Sequence, residues 1–163
     1  MNTSRWIWVL VAALFLTAAA IAWVQVRPLL YPEVALVASL DGDCDLRAGP
    51  CKVVFSNGEG VAFELLPRHI PLVQELRLRV RTEGIDASDV EVDFSGVDMN
   101  MGFNRVHLAP VGPGEFSGTG VLPVCVRSRM SWEAKVLLRT EEGLLAAPFR
   151  FDTYRSGASP SAR

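Results

Sequence analysis

Three of the chain's four methionines and one of its three cysteines fall in two short clusters with a shared chemistry. Met99 and Met101 stand two positions apart in the polar, glycine-bounded stretch Gly96-Val97-Asp98-Met99-Asn100-Met101-Gly102, and Cys125 is followed five residues later by Met130. Thioether and thiolate sulfur prefer Cu(I), and three or four such donors select against hard cations. In an extended chain residues i and i+2 project to the same side, so Met99 and Met101 can reach one ion. The expected metal ligands are therefore Met99, Met101, Cys125 and Met130, with His107 as an additional candidate. The competing reading is packing, with the methionines covering a loop and Cys125 a small apolar residue in Val124-Cys125-Val126 or half of an intermolecular disulfide. Zinc fits less well, because one free cysteine and two distant histidines do not supply a tetrahedral N/S site.

The other two cysteines, Cys44 and Cys51, flank Asp45-Leu46-Arg47-Ala48-Gly49-Pro50, a run of turn formers. A loop of that length can bring two Cα atoms to the 4.4–6.8 Å that a disulfide needs. A structural disulfide is expected, with a metal-binding pair as the alternative. No Cys-x-x-Cys motif accompanies Cys125, which weakens thiol–disulfide exchange as its role. The chain has no Walker-type phosphate loop, Gly-x-Ser-x-Gly elbow or His-Glu-x-x-His pair. His69, in Pro67-Arg68-His69-Ile70-Pro71, reads as an ordinary loop residue, so the expectation is a protein that is not an enzyme.

The cysteine argument depends on where the domain resides, and the N-terminus bears on that. From Trp6 to Val26, 19 of 21 residues are hydrophobic and none is charged. About 20 apolar residues in a helix cross a hydrocarbon core of about 30 Å. A cleavable signal peptide is the rival, given Arg5 before the run and Ala18-Ala19-Ala20 within it, but a signal core of about 7–15 residues would end before Ile21-Ala22-Trp23-Val24-Gln25-Val26. Trp6, Trp8 and Trp23 lie near the two ends, where indole rings favour the membrane interface. The organisation expected is a cytoplasmic N-terminus over 1–5, a transmembrane anchor over 6–26, an extended linker over 27–33 imposed by Pro28 and Pro32, a domain over 34–155 and a disordered tail over 156–163. With the N-terminus inside, the domain lies in the periplasm of a bacterium, anchored in the inner membrane. No second run approaches spanning length, which excludes a multi-span transporter for the monomer. Beyond residue 26 the chain carries 15 Lys and Arg against 18 Asp and Glu, interspersed, and no nucleic-acid face.

The elements that must position the sulfurs read as strands. Glu75-Leu76-Arg77-Leu78-Arg79-Val80-Arg81 alternates with period two. Val90, Val92 and Phe94 alternate with Glu91 and Asp93, Val106 and Leu108 with Arg105 and His107, and Trp132, Ala134, Val136 and Leu138 follow the same rule. Turn residues recur every 8–12 positions, and Phe149 and Phe151 close the domain. About eight or nine strands with no helix outside the anchor predict an all-β, Ig-like β-sandwich.

The single anchor, the β domain and the segment Val97-Asp98-Met99-Asn100-Met101-Gly102 resemble the small membrane-anchored periplasmic proteins of the YtkA/FixH-like group and related copper-handling sandwiches. That resemblance implies metal delivery or assembly of a respiratory oxidase such as cytochrome oxidase, with a membrane-embedded or periplasmic acceptor protein as partner. The familiar copper chaperones combine histidine with methionine, whereas the second cluster here offers Cys125 and Met130. Against this Cu(I)-chaperone reading stands a metal-free structural or interaction module of an envelope complex.

Overall fold

The computed structural model describes residues 3–30, 34–99, 102, 104–123 and 128–154. The chain divides into two units, Met1–Glu33 and Val34–Arg163. The first is one helix, α1, Thr3–Leu30. Its stretch Trp6–Gln25 has a mean hydropathy of 2.5 and none of it is buried against protein. A helix apolar all round does not suit water, and this one is long and apolar enough to cross a membrane. α1 continues through Pro28 to Leu30, into the stretch expected as a linker from residue 27; the rest of that linker, 31–33, and the expected tail over 156–163 lie outside the described residues. A proline there removes one hydrogen bond of the last turns, and the helix carries on for two residues beyond it.

The second unit is built from nine strands: β1 Val34–Val37, β2 Cys51–Val54, β3 Gly60–Leu66, β4 Glu75–Glu83, β5 Asp89–Gly96, β6 Arg105–Gly112, β7 Glu115–Val121, β8 Arg129–Thr140 and β9 Gly143–Tyr154. Alternation works as the sequence demands: in β4, Leu76, Leu78 and Val80 are buried while Arg77, Arg79 and Arg81 face solvent. The strands run in the order β1-β9-β8-β5-β6-β7-β4-β3-β2, antiparallel except for the parallel pair β1 and β9. The longest pairing, β8 with β9, joins twelve residues of each in register from Arg129↔Tyr154 to Thr140↔Gly143.

β6 is the hinge of this sheet. Its first half pairs with β5 through Asp93↔Arg105 to Val90↔Leu108, and its second half pairs with β7 from Ala109↔Ser117. At the changeover the backbones come close. A Cβ on Gly118 would lie 2.6 Å from a Leu108 methyl and 2.9 Å from the His107 carbonyl oxygen, and one on Gly120 would lie 2.7 Å from Val106. Glycine at these two positions lets β6 fold over β7, and the sheet curls until strands near its opposite ends share a core. Phe63 of β3 and Phe149 of β9 meet with ring centroids 5.3 Å apart. One buried cluster, with Trp132, Phe63, Phe94 and Phe149 its largest members, runs through both halves. The expectation of an all-β domain with eight or nine strands is met. The arrangement, however, is a single curled mixed sheet, a half-barrel bonded continuously through β6, where two separately bonded sheets were expected.

Candidate functional site

The two sulfur-bearing connections leave the same end of the sheet. β5 ends where β8 begins, with Gly96 opposite Trp132. One residue further on, the Val97 amide donates to the Ser131 carbonyl at 3.0 Å, so the 97–104 connection starts beside the first residues of β8. Its far end is tied to β7, where the Asn104 side-chain amide donates to the Val121 carbonyl at 3.1 Å. A third connection joins them: the Val73 amide donates to the Leu122 carbonyl at 2.9 Å, two residues before the chain enters 124–127. Val73 and Ile70 have φ of 57° and 47°. Left-handed backbone is unfavourable for β-branched residues, and strained positions of this kind concentrate at functional sites.

Met130 is the first inward residue of the row Met130, Trp132, Ala134, Val136 and Leu138, and at 5 % relative exposure it closes the core at this end. Met99 is half-buried and packs against the same cluster. Met101 and Cys125, the remaining two of the four expected ligands, lie outside the described residues. Asp98 is close enough to Arg129 for electrostatic interaction, a second link between the two connections. Cys44 and Cys51 form a disulfide with Cα atoms 5.6 Å apart. It closes the 44–51 turn over Leu46, which is fully buried.

His107 stands apart from this end. Val106 and Leu108 turn inward and His107 outward, and its Nδ1 lies 3.1 Å from Asp89 Oδ1. Its register partner Glu91 precedes Gly96 by five residues, or about 17 Å along a strand. The sequence offered a signal for this placement: Asp89 and Glu91 alternate onto the same wet face as His107. The pairing of β5 with β6 was needed to join them.

Asp152 organises the flank beside the sulfur connections. Arg129 donates to its Oδ2 from Nε at 3.1 Å and Nη2 at 2.6 Å, and the Ser131 hydroxyl donates to Oδ1 at 2.6 Å. Asp152 thereby holds the Arg129 guanidinium above its ordinary value, through the hydrogen bond and its charge. Arg47 donates to the Asp152 and His69 carbonyls, both at 2.6 Å, with its guanidinium 5.8 Å from the Tyr154 ring centroid. Shallow cavities lined by Cys44, Arg47, His69 and Tyr154 on one side, and by Val97, Arg129 and Ser131 on the other, adjoin this carboxylate. None of these long-range contacts has a local sequence signature. No protein family, curated protein or solved structure matches the chain.

Proposed function

We propose that the protein is a membrane-tethered periplasmic Cu(I)-binding chaperone or assembly factor, with Met99, Met101, Cys125 and Met130 as its ligand set. The observation that carries the reading is the Val97–Ser131 hydrogen bond, which starts the Met99 connection beside the strand that bears Met130. A set of soft sulfur donors suits a monovalent soft ion handed on by ligand exchange. The helix α1 serves as an anchor that raises the effective concentration of the domain near a membrane-bound acceptor. An oxidase under assembly is the acceptor that the resemblance to YtkA/FixH-like proteins suggests. In this reading the curled sheet is an Ig-like sandwich in which β6 passes from one layer to the other, a view supported by the Phe63–Phe149 contact.

Anaerobic Cu(I) titration of the full chain against a competing chelator tests the ligand set. Cys125→Ser and the double variant Met99→Ala, Met101→Ala should each lose affinity by about tenfold or more. Wild-type affinity in both would place the site elsewhere. A reporter fused after Arg163 and active only in the cytoplasm would overturn the orientation.

A second reading has its own support. Met130 is buried and Met99 packs on the core, as expected of methionines that fill irregular apolar gaps, and the protein is then a metal-free interaction module of an envelope complex. Met130→Leu separates the two, because it conserves volume at a cost under about 1.5 kcal/mol and deletes the donor. Unchanged Cu(I) binding in that variant favours packing at residue 130.

A further inference from the structure

We propose that Asp89, Glu91 and His107 form a second metal site, for a borderline divalent cation such as Zn2+, on the outer face of the sheet and separate from the sulfur end. The site follows from register. Asp89 and Glu91 are i and i+2 on β5 and share a face, and His107 on β6 is the direct cross-strand partner of Glu91. Three side chains so placed form a triangle whose corners are fixed by the backbone ladder. One donor atom from each lies within 4.8 Å of the other two, and His107 Nδ1 is 3.1 Å from Asp89 Oδ1. Bonds of about 2.0–2.2 Å to a tetrahedral ion require donor separations of about 3.3–3.6 Å, so closing the triangle takes side-chain rotation and no strand movement. One imidazole nitrogen and two carboxylate oxygens suit Zn2+ or a neighbouring divalent ion and not Cu(I), which selects sulfur. Three protein ligands also leave a fourth position open to water or an exogenous ligand.

The surroundings support occupancy by a cation. The side chains of Asp89 and Glu91 retain 29 % and 27 % of their exposure, so both carboxylates are partly withdrawn from solvent. Leu137, opposite Glu91 on β8, is buried and makes the flank apolar. Arg105 competes for Glu91 at 3.3 Å but also reaches Asp93 at 3.5 Å, so it keeps a carboxylate when an ion takes Glu91. On β8 the row is faced by Arg139, opposite Asp89, and by Lys135, opposite Asp93, which is paired with Glu133 at 3.6 Å.

The test is Zn2+ titration calorimetry on the full chain in detergent micelles, with Co2+ absorption as a spectroscopic report of ligand type. His107→Ala and Glu91→Gln should each weaken Zn2+ binding by at least about tenfold and remove the Co2+ ligand-field bands. Glu115→Gln, on β7 and paired with Arg81 outside the triangle and outside the Arg105 pairs, should leave both unchanged. None of the three side chains is buried in the core, so folding is preserved and checked by circular dichroism. Absence of Zn2+ binding at about 100 μM, or equal affinity in wild type and His107→Ala, overturns the proposal and shows an ion pair only. Loss of Zn2+ binding in Cys125→Ser with retention in His107→Ala also overturns it, assigning the ion to the sulfur end. Cu(I) affinity should be unaffected by His107→Ala, which keeps this outcome independent of the chaperone reading.

Discussion

The ring of Phe63 on β3 lies 5.3 Å from the ring of Phe149 on β9, although five strands separate β3 from β9 in the sheet. The contact exists only because the sheet curls, so both rings report closure of the half-barrel. Phe63→Ala or Phe149→Ala should each destabilise by about 3–5 kcal/mol. The double variant should cost less than the sum, since touching residues share the loss. Urea denaturation followed by circular dichroism measures both. Strict additivity would mean that the two halves do not depend on each other.

The curl has a second test at its hinge. Gly118 and Gly120 accept β6 at distances no Cβ tolerates, whereas Gly42 has open space around it. Gly118→Ala and Gly120→Ala should lose about 1–3 kcal/mol by overpacking, and Gly42→Ala should lose little. Thermal unfolding of the three variants ranks them. Equal effects would remove the glycines from the account of how the sheet bends.

Trp132 is fully buried, and its indole N–H donates to the Thr153 hydroxyl at 2.9 Å, inside the β8–β9 pair. Thr153→Val keeps the shape of the side chain but strands a buried donor, at a cost of about 1–3 kcal/mol. Trp132→Phe leaves a cavity in either background, but it should cost less in the Thr153→Val background than in the wild type, because the N–H it removes there is already orphaned. Chemical denaturation of the cycle checks the sign of the coupling.

Period-two alternation made most strands legible. Leu76, Leu78 and Val80 opposite three arginines admit one reading, and so do Val90, Val92 and Phe94. The Cys44–Cys51 disulfide was legible from a short turn-forming loop. Strand order was not, because it depends on β6 changing partners midway. The glycines that permit this, Gly118 and Gly120, resemble any glycine in a strand. Of the sulfur residues, spacing identified Met99 and Met130 as candidates, but the hydrogen bond from Val97 to Ser131 was needed to bring their segments to one end. His107 illustrates the converse. Its wet-face position was evident, while its partners Asp89 and Glu91 belonged to another strand and emerged only with the register.

The strained connection that touches Leu122 offers a prediction of opposite sign. Val73 has φ of 57° and is 65 % exposed, so its side chain contributes little burial while its backbone adopts a conformation valine disfavours. Asparagine tolerates this region far better. Val73→Asn should therefore stabilise the domain by about 0.5–1 kcal/mol, the range found when a residue is matched to its native backbone. Ile70→Asn, at φ 47° but with a buried side chain, should destabilise, because lost burial and an inserted amide outweigh relief of strain. Both are read from the shift in the unfolding midpoint. If Val73→Asn also weakens Cu(I) binding while raising stability, the strain at Val73 serves the site through its hydrogen bond to Leu122. If affinity is unchanged, the strain is a consequence of the turn that leads into β4 and has no part in the site.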